Sequence, residues 1–162
     1  MHGFPAYVGI GSNLRDPVRQ VRSAATALAA LPKTLLVSRS SLYGSRPMGP
    51  ANQPDFCNAV AGILTELDSP ALHAALRAIE LQMGREPARE RWGPRVIDLD
   101  LLAYGEERCA GPQLTLPHPG IAERQFVLQP WREIAPEYVV PGMGRVATLA
   151  GRLPGDGLWR IE

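Results

Sequence analysis

Residues Arg95-Val96-Ile97-Asp98-Leu99-Asp100-Leu101-Leu102 alternate apolar and acidic side chains. A period of two is that of a β-strand, in which every second residue shares a face. Ile97, Leu99 and Leu101 then face a core, and Asp98 and Asp100 project together from the other side. Carboxylates so placed lie about 6–7 Å apart and repel by about 2–3 kcal/mol at an effective dielectric constant of about 20. Something positive must offset that repulsion. Mg²⁺ suits the task, because it prefers oxygen ligands and often takes one or two carboxylates together with substrate phosphates. A solvent-facing strand edge carrying two charges is the alternative reading.

Immediately upstream, the segment from Arg85 to Arg95 holds Arg85, Arg89, Arg91 and Arg95 with Glu86 and Glu90, a net charge of +2 in eleven residues. Planar guanidinium forks match phosphate oxygens. An acidic, Mg-binding pair beside an arginine-rich loop is what a nucleoside triphosphate requires, and Trp92 within that loop is not explained by a plain solvated charge run.

Working outward, Tyr7 to Ile10 reads as a first strand, followed by an Asp16-Pro17 helix start and an apolar stripe of Val18, Val21, Ala25 and Leu28 that ends before Pro32. Leu35 to Tyr43 reads as a second strand, Ser45 to Pro54 as a loop, and Phe56 to Leu67 as a third strand. Ser69-Pro70 repeats the helix-start signal, with Leu72, Leu76, Ile79 and Met83 as the buried stripe and Gly84 as the terminator. Val96 to Tyr104 is the fourth strand. Gln113 to Leu116 is expected as a short fifth, Glu123 to Ile134 as a helix and Val146 to Leu153 as a final helical turn or two. The order β-α-β-β-α-β predicts a ferredoxin-like α/β (α+β) sandwich: a mainly antiparallel sheet with flanking helices, those of this unit on one face.

The chain has 162 residues, 45% hydrophobic and 20% charged, which fits one domain across residues 1–162. A domain of this size buries roughly 70% of its unfolded surface and needs no metal or disulfide staple. Seventeen basic residues, all arginine except Lys33, against sixteen acidic ones leave +1, which argues against a general polyanion-binding surface. Cys57 and Cys109 match no metal spacing. Neither a basic leader nor a long apolar stretch is present, so the expectation is a cytoplasmic monomer that binds small molecules and neither nucleic acid nor membrane.

Phe56 and Asn58 stand two apart in the third strand and share a face. A flat apolar ring beside an amide with both donors and an acceptor suits a planar heterocycle with a polar edge, although Phe56 alone reads as core. His118 lies in Leu116-Pro117-His118-Pro119, an extended proline-bound loop. Gly9-Ile10-Gly11 lacks the third glycine of a dinucleotide fingerprint, and no Gly-Lys-Ser/Thr is present, so a triphosphate would be held by metal and arginine. Another Mg-dependent phosphotransferase or nucleotidyltransferase, or a non-catalytic small-molecule-sensing module, fits the same residues.

Several blocks resemble the 6-hydroxymethyl-7,8-dihydropterin pyrophosphokinase family of folate biosynthesis. They are Tyr7-Val8-Gly9-Ile10-Gly11-Ser12-Asn13-Leu14, Ser45-x-Pro47-x-Gly49 running into Gln53-Pro54-Asp55-Phe56-x-Asn58, and Arg91-Trp92-Gly93-Pro94-Arg95-x-x-Asp98-Leu99-Asp100. Leu116-Pro117-His118-Pro119 and Glu133-Ile134-Ala135-Pro136 follow in the same order. The resemblance implies transfer of the terminal diphosphate of ATP to the pterin hydroxymethyl group, with release of AMP. It implies that Asp98 and Asp100 hold two Mg²⁺ ions, and that Phe56 and Phe126 sandwich the pterin while Asn58 reads its edge. Ser45 and Met48 contribute further pterin contacts, and Trp92 closes over the ring. Arg85 and Arg95 meet the triphosphate, and Arg77, Glu80, His118 and Arg124 complete the ATP site. Pro87, Arg77, Gln113 and Gly120 depart from the family pattern, and those departures bear on individual ATP contacts.

Overall fold

Period-two and helical patterns act locally, and their ends are decided by where each backbone group finds a partner. The computed structural model describes residues 3–47, 52–84 and 95–162. β1 (Phe4–Ser12) is longer at both ends than its apolar run, because it is paired on both sides. α1 (Pro17–Ala29) starts at Asp16, whose carboxylate accepts from the Arg19 N–H at 3.4 Å, and Pro17 takes the first helical position.

The expected second strand divides into β2 (Thr34–Arg39) and β3 (Tyr43–Ser45). The register slips between Leu36 and Ser38, and Ser40 leaves the ladder to bond Val60 in both directions: its N–H donates to the Val60 carbonyl and its Oγ accepts from the Val60 N–H, both at 2.9 Å. Leu42 is then turned fully into the core. Ser45, read from the sequence as the start of a loop, is the last residue of β3.

β4 (Phe56–Thr65) stops two residues short of Leu67, because Thr65 Oγ1 accepts the Leu67 N–H at 3.1 Å and turns the chain. α2 (Ser69–Gln82) corrects the expected cap. Asp68, not Ser69, accepts the Ala71 N–H at 2.8 Å, which places Ser69 in the first turn, buried, with its hydroxyl donating to Glu107 at 2.6 Å. Gly84 ends the helix at φ +93°, a conformation that glycine adopts at no steric cost. β5 (Asp98–Tyr104) begins at the first aspartate.

β6 (Cys109–Ala110) pairs with β7 (Thr115–Leu116), and a 3₁₀ turn (Ile121–Glu123) leads into α3 (Gln125–Ile134). β8 (Val139–Val140) pairs with β9 (Gly144–Arg145), α4 (Val146–Gly151) follows, and β10 (Leu158–Arg160) closes the described chain.

Among the described residues, six strands form one antiparallel sheet in the order β10-β3-β4-β1-β5, with β2 beside the other half of β4. This is the ferredoxin-like arrangement expected from the element order. One face carries Ala6, Val8 and Ile10 of β1, Cys57, Ala59, Ala61 and Ile63 of β4, and Leu99 and Leu101 of β5, packed on α1 and α2. The opposite face is also covered by helices. Val60, Leu102 and Ala103 pack there with Val127, Leu128 and Trp131 of α3 and Leu149 of α4. Helices on one face therefore describes only the first 104 residues. An extra residue in β5 shifts the alternation: Tyr7 pairs with Ala103 but Val8 with Leu101, so Ala103 joins Leu102 on the face toward α3 and Tyr104 returns to the other core.

Candidate active site

The sheet face toward α3 carries the site. β1 is its centre line, with Gly11 opposite Asn58 on one side and Asp98 on the other, and Gly9 between Val60 and Asp100. Two strand spacings put Asn58 and Asp98 roughly 10 Å apart, with nothing but glycine between them. A Cβ on Gly11 would lie 3.5 Å from Asn58 Oδ1 and 3.9 Å from the Phe56 ring, so a side chain there would occupy the floor. The result is a cleft, open at its mouth, in which Ser45, Phe56, Asn58 and Phe126 line one part and Asp98, Asp100 and Arg124 the other. These are seven of the residues singled out from the sequence, drawn from β3, β4, β5 and the start of α3.

The polar edge of this cleft is built. Asn58 is buried, and its Nδ2 donates to Ser45 Oγ at 2.8 Å and to the Tyr43 carbonyl at 3.3 Å. Its Oδ1 therefore lies toward Gly11 and the cleft floor.

A second cleft lies on the outer side of β5, between Arg77 of α2, the Gly111–Thr115 segment and His118. Asp100 lines both clefts. Arg77 and Glu80 sit one helical turn apart, 3.2 Å between Nη1 and Oε1. Glu80 is buried at 3% exposure, and its Oε2 accepts the Leu99 N–H at 2.7 Å, while Arg77 donates to the Leu99 carbonyl. The pair thus grips the backbone of the residue between the two aspartates, which sets the direction in which both carboxylates leave the strand.

Electrostatics single out Asp100. Burial, and then the neighbouring Asp98 charge, push its carboxyl up to about 7, against the opposing pull of Arg124 and Arg77. Arg124 Nη1 and His118 Nε2 each stand 3.9 Å from Asp100 Oδ2. His118 is pushed down to about 4, by burial first and by the Arg124 charge second. It is neutral at pH 7, and its Nδ1 accepts the Gly120 N–H at 3.1 Å. The ring proton accordingly sits on Nε2, directed toward Asp100 and the second cleft.

Two carboxylates that oppose one another, one of them held protonated near neutrality, form a donor set suited to a divalent cation. Among the described residues no group of three or more His, Cys, Asp or Glu side chains converges.

Arg95 lines neither cleft. Its backbone N–H donates to Asn13 Oδ1 at 2.8 Å, and its carbonyl accepts the Asn13 N–H at 3.0 Å. Met48, Arg85 and Trp92 lie outside the described residues.

Sequence reasoning assigned no role to Asn13, which is 1% exposed at the end of β1. Its Nδ2 donates to Gln53 Oε1 at 2.9 Å and to the Pro54 carbonyl at 3.0 Å. One amide thus joins the segment leading into Phe56 to the segment leading into Asp98. Gly9 and Gly11 were likewise weighed only as a dinucleotide fingerprint. Two glycines at alternate positions of a central strand are the signal for a cleared sheet face.

A ferredoxin-like sheet with a pair of carboxylates between two clefts defines the class: an α/β domain with a candidate small-molecule site on one sheet face. Comparison narrows it. The family model of 7,8-dihydro-6-hydroxymethylpterin-pyrophosphokinase (HPPK) matches residues 7–136. A 2-amino-4-hydroxy-6-hydroxymethyldihydropteridine pyrophosphokinase of Pseudomonas aeruginosa is 44% identical over 156 residues, covering 96% of this chain and 95% of the relative. The enzyme of the same name from Haemophilus influenzae is 47% identical over 136 residues, 84% of each chain. A Plasmodium falciparum HPPK-DHPS crystal structure shares the fold at a TM-score of 0.72 and 12% identity, over 93% of this chain and 43% of that one. The chain belongs to the HPPK family. Its activity is that of a pyrophosphokinase acting on hydroxymethyldihydropterin in folate biosynthesis, with ATP as co-substrate. No helix among the described residues is long and apolar enough to cross a membrane.

Proposed function

We propose that the two clefts divide the substrates and that Asp98 and Asp100 join them. The pterin lies in the first cleft, its ring against Phe56 and Phe126 and its polar edge against Asn58 and Ser45. ATP enters the second, over Arg77 and His118, with its phosphates reaching the aspartates and Arg124. The observation that carries this reading is the position of Asp100 on both clefts at once.

Asp98 and Asp100 would hold Mg²⁺, as a pair of ions, which when bound neutralises phosphate oxygens and draws the polyphosphate toward the alcohol. The rest is done by side chains. The aromatic walls and Asn58 orient the hydroxymethyl group, and Glu80 with Arg77 fixes the direction of the carboxylates. His118 Nε2–H and Arg124 donate to oxygens that gain charge. The substrate oxygen forms a bond to the β-phosphorus of ATP, the bond from that phosphorus to the AMP oxygen breaks, and the alcohol proton is lost to solvent. No side chain of the described cleft is assigned as a general base. Met48, Arg85, Trp92 and the Arg95 side chain are proposed to complete the closed site, in a single-domain, cytoplasmic monomer.

Incubation with ATP, Mg²⁺ and hydroxymethyldihydropterin, followed by nucleotide chromatography, tests the reaction: AMP is expected, and ADP would refute β-phosphorus attack. Asp98→Ala or Asp100→Ala is expected to lower turnover by about 10²–10⁴-fold with the fold intact, and near-normal turnover in either would refute the metal assignment.

A further inference from the structure

β3 has three residues, yet it carries the polar edge of the pterin-side cleft. On one side Tyr43, Gly44 and Ser45 pair with Asn58, Cys57 and Phe56 of β4; on the other they pair with Arg160, Trp159 and Leu158 of β10. The pairing continues past the strand, with the Ile161 N–H donating to the Leu42 carbonyl at 2.7 Å and the Leu42 N–H to the Glu162 carbonyl at 3.2 Å. The C-terminal segment also reaches the other wall: Gln125 Nε2, next to Phe126, donates to the Asp156 carbonyl. A Cβ on Gly44 would fall 2.2 Å from the Trp159 indole, so the indole lies directly on the glycine backbone.

We propose that Trp159 is a positioning residue for pterin recognition: seated on Gly44, it holds β3 where Ser45 Oγ and the Tyr43 carbonyl accept from Asn58. Both protons of the Asn58 amide are directed to β3, which commits Oδ1 to the cleft as an acceptor. If β3 moves outward, the amide is free to turn, and the cleft no longer presents a fixed acceptor to the N–H groups along a pterin edge. A three-residue strand held at its outer edge by only three residues of β10 has little to resist that movement once the indole is lost. Among the described strands β10 pairs with β3, and no residue of either lines the second cleft, so the effect is confined to one substrate.

The proposal rests on the reading that the pterin occupies the first cleft, and the test separates the two. Steady-state constants for both substrates are measured for Trp159→Ala, Trp159→Phe and Asn58→Ala. Trp159→Ala is expected to raise the pterin KM about tenfold, with ATP KM and kcat changed by less than about twofold. Trp159→Phe, which keeps a flat ring on Gly44, restores most of the loss. An unchanged pterin KM in Trp159→Ala beside a raised one in Asn58→Ala overturns the positioning role and leaves the cleft reading standing. An unchanged pterin KM in Asn58→Ala overturns the cleft reading and this proposal with it. A parallel rise in both KM values in Trp159→Ala, or a loss of kcat, also overturns the proposal. Trp159 is 42% exposed, so its truncation is expected to leave the protein folded. If a thermal melt shows otherwise, Gly44→Ala, which displaces the indole and keeps the side chain, replaces it with the same outcomes.

Discussion

Replacing Asp100 by asparagine is expected to stabilise the metal-free protein while abolishing its activity. The Asp100 carboxyl moves from an ordinary 3.8 to about 7 on folding, through burial and the adjacent Asp98 charge. A group whose pKa rises on folding binds protons more tightly in the native state, so stability falls as pH climbs from about 4 to about 7 and stays low above that. Full ionisation at pH 8 corresponds to about 4 kcal/mol against the folded state. Relaxation of the neighbouring arginines and contact with water through a side chain 27% exposed reduce this to roughly 2 kcal/mol. For a domain of this size that is a rise in Tm of about 5 °C at pH 8, shrinking toward zero at pH 4.

The assay is thermal unfolding of wild type and Asp100→Asn between pH 4 and pH 8, in a chelator and at low salt. Added Mg²⁺ should raise the wild-type Tm at pH 8 and leave that of the variant nearly unmoved. A variant that melts at or below wild type at pH 8, or with the same pH dependence, would falsify the claim that burial and the Asp98 charge raise the Asp100 carboxyl on folding.

Two further expectations come from side chains outside the lining of both clefts. Asn13→Ala removes three side-chain hydrogen bonds at a buried position and leaves the Arg95 N–H without its acceptor. It should cost about 3 kcal/mol, a Tm lower by about 6–12 °C, and kcat/KM should fall about a hundredfold as the two segments it joins lose register; a loss in one measure without the other would separate anchoring from stability. Glu133 accepts from the Ser41 N–H at 2.9 Å, Ser41 Oγ at 3.0 Å and Tyr43 at 2.6 Å. Burial acts against its charge, but these bonds prevail and hold its carboxyl below the ordinary 4.5. The stability it contributes is therefore complete above that pH and is lost as pH falls through the depressed value, so Glu133→Gln should be less stable at pH 7 and converge with wild type under acid; a constant difference would refute the assignment.

The element order and two pairs of cleft residues were legible because they depend on spacing alone, whereas Ser45, Arg77, Glu80, His118, Arg124 and Phe126 entered only through the family resemblance. Asp98 with Asp100, and Phe56 with Asn58, stand two apart, and any strand puts such pairs on one face. The misplaced features depend on partners distant in sequence. Ser69 looked like the cap because it precedes Pro70, but the competing Asp68 reaches the Ala71 N–H with a charged acceptor. Leu35 to Tyr43 looked continuous because its break is made by Val60 and by the last two residues of the chain. Asn13 carries no periodic signal at all, since its three acceptors and donors come from loops about forty and eighty residues away.

From the linear chain alone follow a paired carboxylate, a strand with Phe56 and Asn58 on one face and the β-α-β-β-α-β order, since each rests on residue type at short separation. Tertiary structure decided which face of the sheet is left open, by setting glycines between Asn58 and Asp98 and closing the rest with α3. It also decided that Asp100 borders two clefts and holds its proton near neutrality, because burial and the mutual approach of charges exist only once distant segments have packed together.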